Sequence, residues 1–302
     1  MNKTKSVQAR LLNLSKKQRT DYNYLLIRYG IERLIYRLMH TQYKDRFVLK
    51  GAMLFLIWHE DTYRPTKDLD FLGTGIIDEN ELLKIFKDIF AVEVPDDGIK
   101  FDPDHINIEE IRDGEIYHGY RINVRALLGT AKIGLQVDIG LGDAIFPTPT
   151  EQEFPSLLDS QGLIVKAYPK EAMLAEKFDA ILALGLRNSR MKDYFDIYIL
   201  VRDYDFDGKV LVQAIAATVL RRGRTLPSDV PTGFQEEFSN NPDKNKQWDA
   251  FLRRIGTKQV NTSLQETILF LRSFFEPIIH AWSKTAQFDA IWIAGGPWKE
   301  RI

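Results

Sequence analysis

The sequence predicts an α+β protein in which a lobe with a mixed sheet is followed by an α-helical lobe. Residues 99–141 alternate apolar and polar side chains around turn signals at Asp113-Gly114 and Gly129-Thr130, which is typical of a β-meander. From Pro169 onward, apolar residues recur at helical spacing. The predicted organisation is an N-terminal helical extension over 1–46, an α/β lobe over 47–165 and an α-helical lobe over 166–302.

The elements ahead of the meander follow from apolar spacing and from signals at their ends. Apolar residues at helical spacing predict a helix over 17–45, and short apolar runs predict strands at Phe47–Leu49 and Asp68–Leu72. Between these strands, a glycine opens a predicted helix over 51–58. The acidic stretch DENE forms the first turn of a helix over 78–90, because carboxylates favour a helix N-terminus.

The chain after the meander is predicted to be a loop followed by helices. Residues 142–160 contain Pro147, Pro149 and Pro155 and are expected to connect the two halves. Pro169 suits the first position of a helix, where its missing N–H costs nothing. Helices are expected over 169–185, 191–203, 208–222, 244–255 and 263–283.

The composition excludes several classes of protein. The 302-residue chain is 44% hydrophobic and 27% charged, as ordinary globular proteins are, and it contains no cysteine. Disulfides, cysteine-ligated zinc, iron–sulfur clusters and thiol catalysis are therefore excluded. Its longest apolar run, Ala52–Trp58, is far shorter than the roughly 20 residues that span a bilayer, and no signal-peptide core opens the chain. A cytoplasmic protein without membrane contact is expected.

Charge is balanced overall but clustered locally. A net charge of −1 argues against a surface that coats nucleic acid everywhere. The basic clusters are Lys3, Lys5, Arg10, Lys16, Lys17 and Arg19; Arg187, Arg190 and Lys192; Arg221, Arg222 and Arg224; and Arg253 and Arg254. A solvated helix face explains any one of these clusters. Together they make an anionic partner a hypothesis to test.

The most informative motif is Asp68-Leu69-Asp70. Residues two apart in a strand point to the same face, so this spacing places two carboxylates side by side. Such carboxylates repel each other unless a cation lies between them. Mg²⁺ commonly binds one or two carboxylates together with substrate phosphates, so Asp68 and Asp70 are predicted to hold Mg²⁺ against a nucleotide.

Asp138 is a candidate third carboxylate. It lies in the apolar strand LQVDIG, where aspartate is disfavoured by strand propensity and by burial. An edge strand with its aspartate in water is the alternative explanation. Three carboxylates on neighbouring strands can hold two Mg²⁺ ions, which activate the attacking oxygen and neutralise a triphosphate.

Other residues are candidates for contacting the phosphates. Lys50-Gly51 leads from a strand into a helix N-terminus, which favours phosphate, although a tight turn explains the glycine equally well. Lys177 can reach a triphosphate as a point charge. Asp193 and Asp196 share a helix face. The alternative role for these two acids is a helix N-terminus that forms a salt bridge to Arg190 or Lys192.

The motifs together resemble those of a known family. LKGA, RPTKDLDF, QVDIG, AEK and RMKDYFDI occur in order over residues 47–201 and resemble the AbiEii/AbiGii toxin nucleotidyltransferases, a group that includes the MenT-type toxins. The resemblance implies the nucleotidyltransferase fold of the DNA polymerase β superfamily. It also implies Mg²⁺-dependent transfer of a nucleoside monophosphate from an NTP to tRNA or another RNA, which inhibits translation. Some members prefer GTP, and a cognate antitoxin is commonly encoded alongside.

The resemblance also assigns roles to single residues. Asp68 and Asp70 match the catalytic metal-binding pair, and Asp138 matches the third-strand acid. Lys177 and Asp193 match the essential lysine and the essential acid. Thr66 matches a hydroxyl residue that kinase-type antitoxins phosphorylate in some members. The expected nucleotide-binding residues are Lys50, Gly51, Thr66 and Lys177, and the expected RNA-binding residues, chosen because they flank Asp193, are Arg187, Arg190 and Lys192.

Two departures and two rival interpretations stand beside this assignment. Ala52 and Met53 occupy positions where the family often has a second glycine and a hydroxyl residue, and Gln136 replaces a frequently basic residue. A haloacid-dehalogenase-type phosphatase requires a threonine where Leu72 stands. A non-catalytic RNA- or partner-binding module on the same fold is the remaining alternative.

Overall fold

The chain folds into two units. The first contains the chain up to Gly142 together with Thr150–Ala167, and the second contains Asp143–Pro149 and the chain from Tyr168 onward. The structure is a computed structural model. It describes residues 3–59, 64–75, 77–113, 117–159, 162–256, 260–284 and 287–301.

A seven-stranded mixed sheet forms the centre of the first unit. Its helices are α1 (Lys3–Gln18), α2 (Tyr22–Met39), α3 (Leu54–Trp58) and α4 (Glu79–Ala91). Its strands are β1 (Phe47–Lys50), β2 (Asp68–Gly73), β3 (Ile99–Asp113), β4 (Tyr117–Leu128), β5 (Ala131–Leu141), β6 (Thr150–Phe154) and β7 (Leu163–Ala167). The strand order is β3-β4-β5-β2-β1-β7-β6, with parallel pairing of β2 with β5 and of β1 with β7. This order brings β2 and β5, which bear the candidate carboxylates, next to each other.

Most of the predicted elements of this unit are confirmed, and two predictions are wrong. The helix expected over 17–45 is α2 alone, preceded by the separate helix α1. Asp21 begins α2, because its side chain accepts a hydrogen bond from the Tyr24 N–H at 2.8 Å. The loop expected over 142–160 contains β6, which pairs with β7. The alternation in TEQEF is too short and too polar for a strand to be predicted without its partner.

A buried ion-pair network fixes α2 to the start of β3. Arg33 Nε and Arg37 Nη1 each donate to Asp97 Oδ2 at 2.8 Å. Burial alone would raise the pKa of Asp97, but Arg37 and Arg33 hold it below its ordinary value. Because all three side chains are buried, the network fixes one register between the helix and the sheet.

The second unit is mainly helical. Its helices are α5 (Lys170–Leu184), α6 (Met191–Asp203), α7 (Gly208–Arg221), α8 (Glu236–Ser239), α9 (Pro242–Ile255) and α10 (Leu264–Ser283). The five long helices were all predicted. A small antiparallel sheet, which was not predicted, has the order β10 (Trp298–Glu300), β9 (Ala290–Trp292) and β8 (Phe206–Asp207). Strands of two or three residues are too short to show a periodicity. Among the described helices, none combines the length and hydropathy that crossing a membrane requires.

Arg222 and Arg224 have a structural role in this unit. Arg222 Nη1 donates to Asp179 Oδ2 at 2.9 Å, and Arg224 Nη1 donates to the same carboxylate at 2.7 and 2.8 Å. Arg222 also contacts Asp143 at 3.1 Å. Burial opposes the charge of Arg222, but the neighbouring acids Asp143, Glu176 and Asp179 raise its pKa above the ordinary value. These arginines therefore tie α5 to the end of α7.

Candidate functional site

A row of charged side chains crosses the sheet of the first unit. Strand pairing places Glu109 of β3, Arg121 of β4, Asp138 of β5, Asp70 of β2 and Lys50 of β1 opposite one another in that order. Residues opposite each other on paired strands share a face. We call these five residues the charged row. Opposite charges alternate along it except where Asp138 meets Asp70. That position joins two like charges.

Asp68 extends the negative charge at this position. It lies two residues before Asp70 on β2 and therefore on the same face. Its side chain is exposed, and its carboxylate makes no hydrogen bond with a residue that the structure describes. Strand pairing thus places Asp68, Asp70 and Asp138, the three carboxylates singled out from sequence, on one face of two neighbouring strands.

Asp138 is already engaged by an arginine. Arg121 donates from Nε to Oδ1 at 2.9 Å and from Nη2 to Oδ2 at 2.7 Å. The amide of Gln136 lies 3.4 Å from both carboxylate oxygens. The hydrogen bond to Asp138 and the charges of Asp138, Asp68 and Glu109 raise the pKa of Arg121 above its ordinary value.

This ion pair bears on the expected metal site. Across the described ranges, no group of three or more His, Cys, Asp or Glu side chains is arranged to hold a metal ion. Metal binding by all three carboxylates therefore stays a prediction. Asp68 and Asp70 still fit Mg²⁺, because hard oxygen donors from one or two carboxylates are what this ion commonly takes from a protein, with substrate phosphates and water completing its shell.

Gly51 lies directly against Asp70. Its φ of +70° is unfavourable for residues with a side chain, and a Cβ built there would lie 2.6 Å from Asp70 Cγ. The sequence interpretation assigned this glycine to a close phosphate. In the structure, it is the carboxylate of Asp70 that approaches closely, while the buried Lys50 lies opposite on β1.

The helix that follows Gly51 is short. A single 3₁₀ turn, Gly51–Met53, precedes the five residues of α3. The dipole of so short a helix adds little to phosphate binding. A phosphate at Gly51 would therefore meet the negative charge of Asp70 with little compensation from the backbone.

Thr66 is buried and precedes the strand. It is 8% exposed, and its Oγ1 lies 3.5 Å from the carbonyl oxygen of Asp68. Phosphorylation of Thr66, which the resemblance suggests, requires this hydroxyl to become accessible. The role of Thr66 in nucleotide binding stays a prediction.

The candidate residues of the second unit form a separate ion cluster. Lys177 Nζ lies 3.0 Å from Asp193 Oδ1 and 2.7 Å from Asp196 Oδ2. Arg190 Nε donates to Asp193 Oδ2 at 2.7 Å. The two carboxylates are at most 1% exposed, and the Lys177 side chain is 13% exposed. The salt bridge to Arg190 that the alternative interpretation offered for Asp193 is present, so Arg190 is already engaged within its own unit.

The remaining RNA-binding candidates are more accessible. Arg187 and Lys192 are exposed and make no hydrogen bond or ion pair with any described residue. In sequence, Arg187 precedes the Arg190–Asp193 pair and Lys192 lies between its two members. RNA binding by all three basic residues stays a prediction.

Sequence reasoning missed Glu109 and Arg121 of the charged row, and it did not place Asp196 among the site residues. Arg121 could have been found from the two-residue turn Gly129-Thr130. Counting outward from such a hairpin turn pairs residue 121 with Asp138. Asp196 was recognised as sharing a helix face with Asp193, and the only role considered for it was structural, a salt bridge at a helix N-terminus.

The contact between Gly51 and Asp70 predicts a stability difference between two glycine variants. Gly256 has φ +63° and open space around a built Cβ, so Gly256→Ala should cost about 1–2 kcal/mol from backbone strain alone. Gly51→Ala should cost about 1–3 kcal/mol more, because the methyl group overlaps Asp70. Urea unfolding of both variants checks this difference. Equal losses would show that the carboxylate moves away at no cost.

The buried cluster predicts that Lys177 contributes to stability. Lys177→Ala removes the ammonium group that contacts Asp193 and Asp196 and should lower the free energy of unfolding by about 3–5 kcal/mol. Lys192→Ala, at an exposed position of α6, the helix that bears Asp193 and Asp196, is the matched control and should change it by less than about 0.5 kcal/mol. Thermal and urea unfolding provide the comparison. Losses of similar size in both variants would contradict a structural role for Lys177.

Comparisons with known proteins agree with these motifs. The chain matches the family model described as nucleotidyl transferase AbiEii toxin, type IV toxin–antitoxin system, over residues 33–269. No curated protein matches the chain significantly. Because the family model covers well over half of the chain, the predicted fold class of a nucleotidyltransferase with a mixed-sheet lobe and a helical lobe is confirmed.

Solved structures with similar folds come from two bacteria. JHP933 from Helicobacter pylori is 18% identical, with a TM-score of 0.47 and coverage of 87% of this chain and 94% of that chain. A putative nucleotidyltransferase from H. pylori is 18% identical, with a TM-score of 0.47 and coverage of 86% and 96%. MenT4, a nucleotidyltransferase toxin of Mycobacterium tuberculosis, is 15% identical, with a TM-score of 0.49 and coverage of 88% and 92%. By its family match, the chain belongs to the AbiEii nucleotidyl transferase toxins of type IV toxin–antitoxin systems.

Proposed function

We propose that this toxin transfers a nucleoside monophosphate from an NTP to an RNA acceptor, with tRNA as the first candidate, and thereby inhibits translation. The observation that supports this most is the like-charge position in the charged row. Asp70 and Asp138 are in register on neighbouring strands, with Asp68 on the same face. Fixed carboxylates in this arrangement are suited to a divalent cation.

Asp68 and Asp70 are the proposed Mg²⁺ ligands. Asp68 is exposed, and the carboxylate of Asp70 lies against Gly51. A phosphate beside Gly51 would lie against the carboxylate of Asp70, and two anions in contact require a cation. When bound there, Mg²⁺ supplies charge neutralisation for the triphosphate and activation of the attacking hydroxyl.

Lys50 contributes to the same environment. It lies opposite Asp70 and is buried, so its ammonium group is the fixed positive charge of the row on the β1 side. We propose that Lys50 offsets part of the negative charge of Asp70 and supports nucleotide binding next to Gly51.

The Lys177 cluster is proposed to take part through its match to the family motif. Asp193 and Asp196 hold the ammonium group of Lys177, and Arg190 holds Asp193. The ion pairs restrict Lys177 to one position, which is a requirement for a residue that contacts a transferring phosphate. Because the cluster also stabilises the second unit, loss of activity in Lys177→Ala must be corrected for the folded fraction.

The acceptor and the regulator are further parts of this proposal. Arg187 and Lys192 are exposed and suited to RNA phosphates, whereas Arg190 is engaged with Asp193. An antitoxin encoded alongside is the expected regulator. NTPs and RNA occur together in the cytoplasm, which is the proposed site of action.

The proposed reaction predicts a large effect of the two metal-ligand variants. Asp68→Ala and Asp70→Ala should each reduce transfer by about 10³-fold or more, because each removes a ligand of a metal that contributes several kcal/mol. The assay incubates each α-³²P-labelled NTP with Mg²⁺ and total RNA and separates the products on a gel. Asp104→Ala, in the unrelated Asp-Pro-Asp sequence, is the control and should retain activity within about twofold.

Two outcomes of this assay would contradict the proposal. Transfer by Asp70→Ala at the wild-type rate would exclude a metal role for that carboxylate. If the wild-type protein labels no RNA with any of the four NTPs, the non-catalytic RNA- or partner-binding module becomes the better interpretation.

RNA binding is predicted to depend on salt through Arg187 and Lys192. The double variant Arg187→Ala/Lys192→Ala should weaken RNA binding and reduce the slope of log K against log salt by about 1–2. Neither substitution removes a residue of the Lys177 cluster, so NTP binding should not change. Filter binding of labelled tRNA at several salt concentrations measures the slope. An unchanged slope would move the RNA surface to another basic cluster.

A further inference from the structure

Arg121 is fixed in position by Asp138. Both carboxylate oxygens accept a hydrogen bond from the guanidinium group, at 2.9 and 2.7 Å. Such a two-point contact sets the plane of the guanidinium group as well as its position. Gln136 lies 3.4 Å from the same two oxygens and so supports the carboxylate from its own strand.

The other edge of the guanidinium group is available. Its contacts with Asp138 use Nε and Nη2, and Nη1 has no hydrogen-bond partner among the residues that the structure describes. The side chain is 40% exposed. An arginine has five N–H donors, so a contact that uses two of them leaves donors for a ligand.

The position of Arg121 relates this free edge to the candidate metal ligands. In the charged row, Arg121 is next to Asp138, which is next to Asp70, and the charge of Asp68 acts on the guanidinium group. The strand that bears Arg121, β4, is paired on both sides by β3 and β5. Because hydrogen bonds to both neighbouring strands hold the backbone of β4, the Cα atom of Arg121 has little freedom to move.

On these grounds we propose that Arg121 binds the triphosphate of the NTP and that Asp138 is its positioning residue, not a metal ligand. This inference rests on the proposed function, since it requires an NTP at Asp68 and Asp70. A planar guanidinium group with a free edge matches the oxygens of a phosphate in two-point contacts. The metal then takes the two carboxylates of β2, and the acid of β5 acts through the arginine.

The rival arrangement makes opposite predictions. If Asp138 binds the metal, Arg121 is a counter-ion, and its ion pair with the Asp138 carboxylate must break when the metal binds. Removal of Arg121 would then free a ligand and strengthen metal binding. Under the proposal, removal of Arg121 weakens nucleotide binding and leaves the metal affinity unchanged.

Two binding measurements on the full chain separate these arrangements. Equilibrium dialysis with each α-³²P-labelled NTP in Mg²⁺ gives nucleotide affinity, and competition by inorganic tripolyphosphate isolates the phosphate contribution. Electron paramagnetic resonance with Mn²⁺ alone gives metal affinity. The variants are Arg121→Ala, Arg121→Gln, Asp138→Asn and the Arg121→Ala/Asp138→Asn double variant. Arg125→Ala, four residues along the same face of β4, is the matched control, and thermal unfolding confirms that each variant is folded.

We expect Arg121→Ala and Arg121→Gln to weaken binding of the NTP and of tripolyphosphate by about tenfold or more, the size of a lost charge-assisted hydrogen bond. Asp138→Asn should weaken both to a similar extent, and the double variant should be no worse than Arg121→Ala, because the two residues act as one unit. Mn²⁺ affinity should stay within about twofold in all variants, and Arg125→Ala should resemble the wild type.

Several results would overturn this inference. A tenfold loss of Mn²⁺ binding in Asp138→Asn would make Asp138 a metal ligand. Tighter Mn²⁺ binding in Arg121→Ala would make Arg121 a counter-ion, and unchanged NTP affinity in the Arg121 variants would exclude the phosphate contact. If the wild-type protein binds no NTP, both the proposed function and this inference fail. If the wild-type protein binds NTP and the Arg121 variants bind it equally well, only this inference is overturned.

Discussion

Asp70 and Asp138 carry like charges in register on adjacent strands of one sheet. Strands pair about 4.8 Å apart, and two charges separated by about 5 Å at an effective dielectric constant near 20 repel by on the order of 3 kcal/mol. Positively charged neighbours offset that repulsion. Arg121 flanks Asp138 on one side of the pair, and Lys50 flanks Asp70 on the other. The absence of a side chain at Gly51 leaves the space that the carboxylate of Asp70 occupies.

The charged row and the Lys177 cluster differ in a way that separates ligand binding from stability. In the second unit, Asp193 and Asp196 are buried and closed over Lys177, so a ligand that replaced these contacts would have to expose buried charges. In the first unit, Asp68 is exposed and Arg121 is partly exposed, so a ligand can reach both side chains without exposing buried charges. The charged row is therefore the more suitable place for a metal and a substrate that come and go.

The sequence was sufficient to predict the charged face of the sheet but not all of its partners. A strand period of two places Asp68 and Asp70 on one face without any knowledge of the fold. The pairing of β2 with β5 could not be predicted, because the two strands are far apart in the chain and no local signal fixes their order. The turn Gly129-Thr130 did contain the register that pairs Arg121 with Asp138. Predicting that pair required counting outward from the turn in addition to recognising the two strands.

The missed elements have a common physical cause. β6 and the strands of the small sheet are short, so they are stabilised by their partners more than by their own residues. Trp292 shows this dependence, since it is buried against Phe274 with ring centroids 4.9 Å apart. Long helices such as α10 show their apolar face within one segment, and for that reason they were predicted correctly.

The interleaved course of the chain sets an order of assembly during synthesis. Asp143 is made between strands of the first unit, yet its partner Arg222 is made 79 residues later. The seven-stranded sheet is complete in sequence once Ala167 has left the ribosome, whereas the helical unit must wait for α7 and the helices beyond it. No single cut in the polypeptide yields both units whole, because a fragment that begins at Tyr168 lacks Asp143. A nascent toxin thus contains the carboxylates of Asp68, Asp70 and Asp138 well before α7 and the later helices complete the unit that holds Lys177.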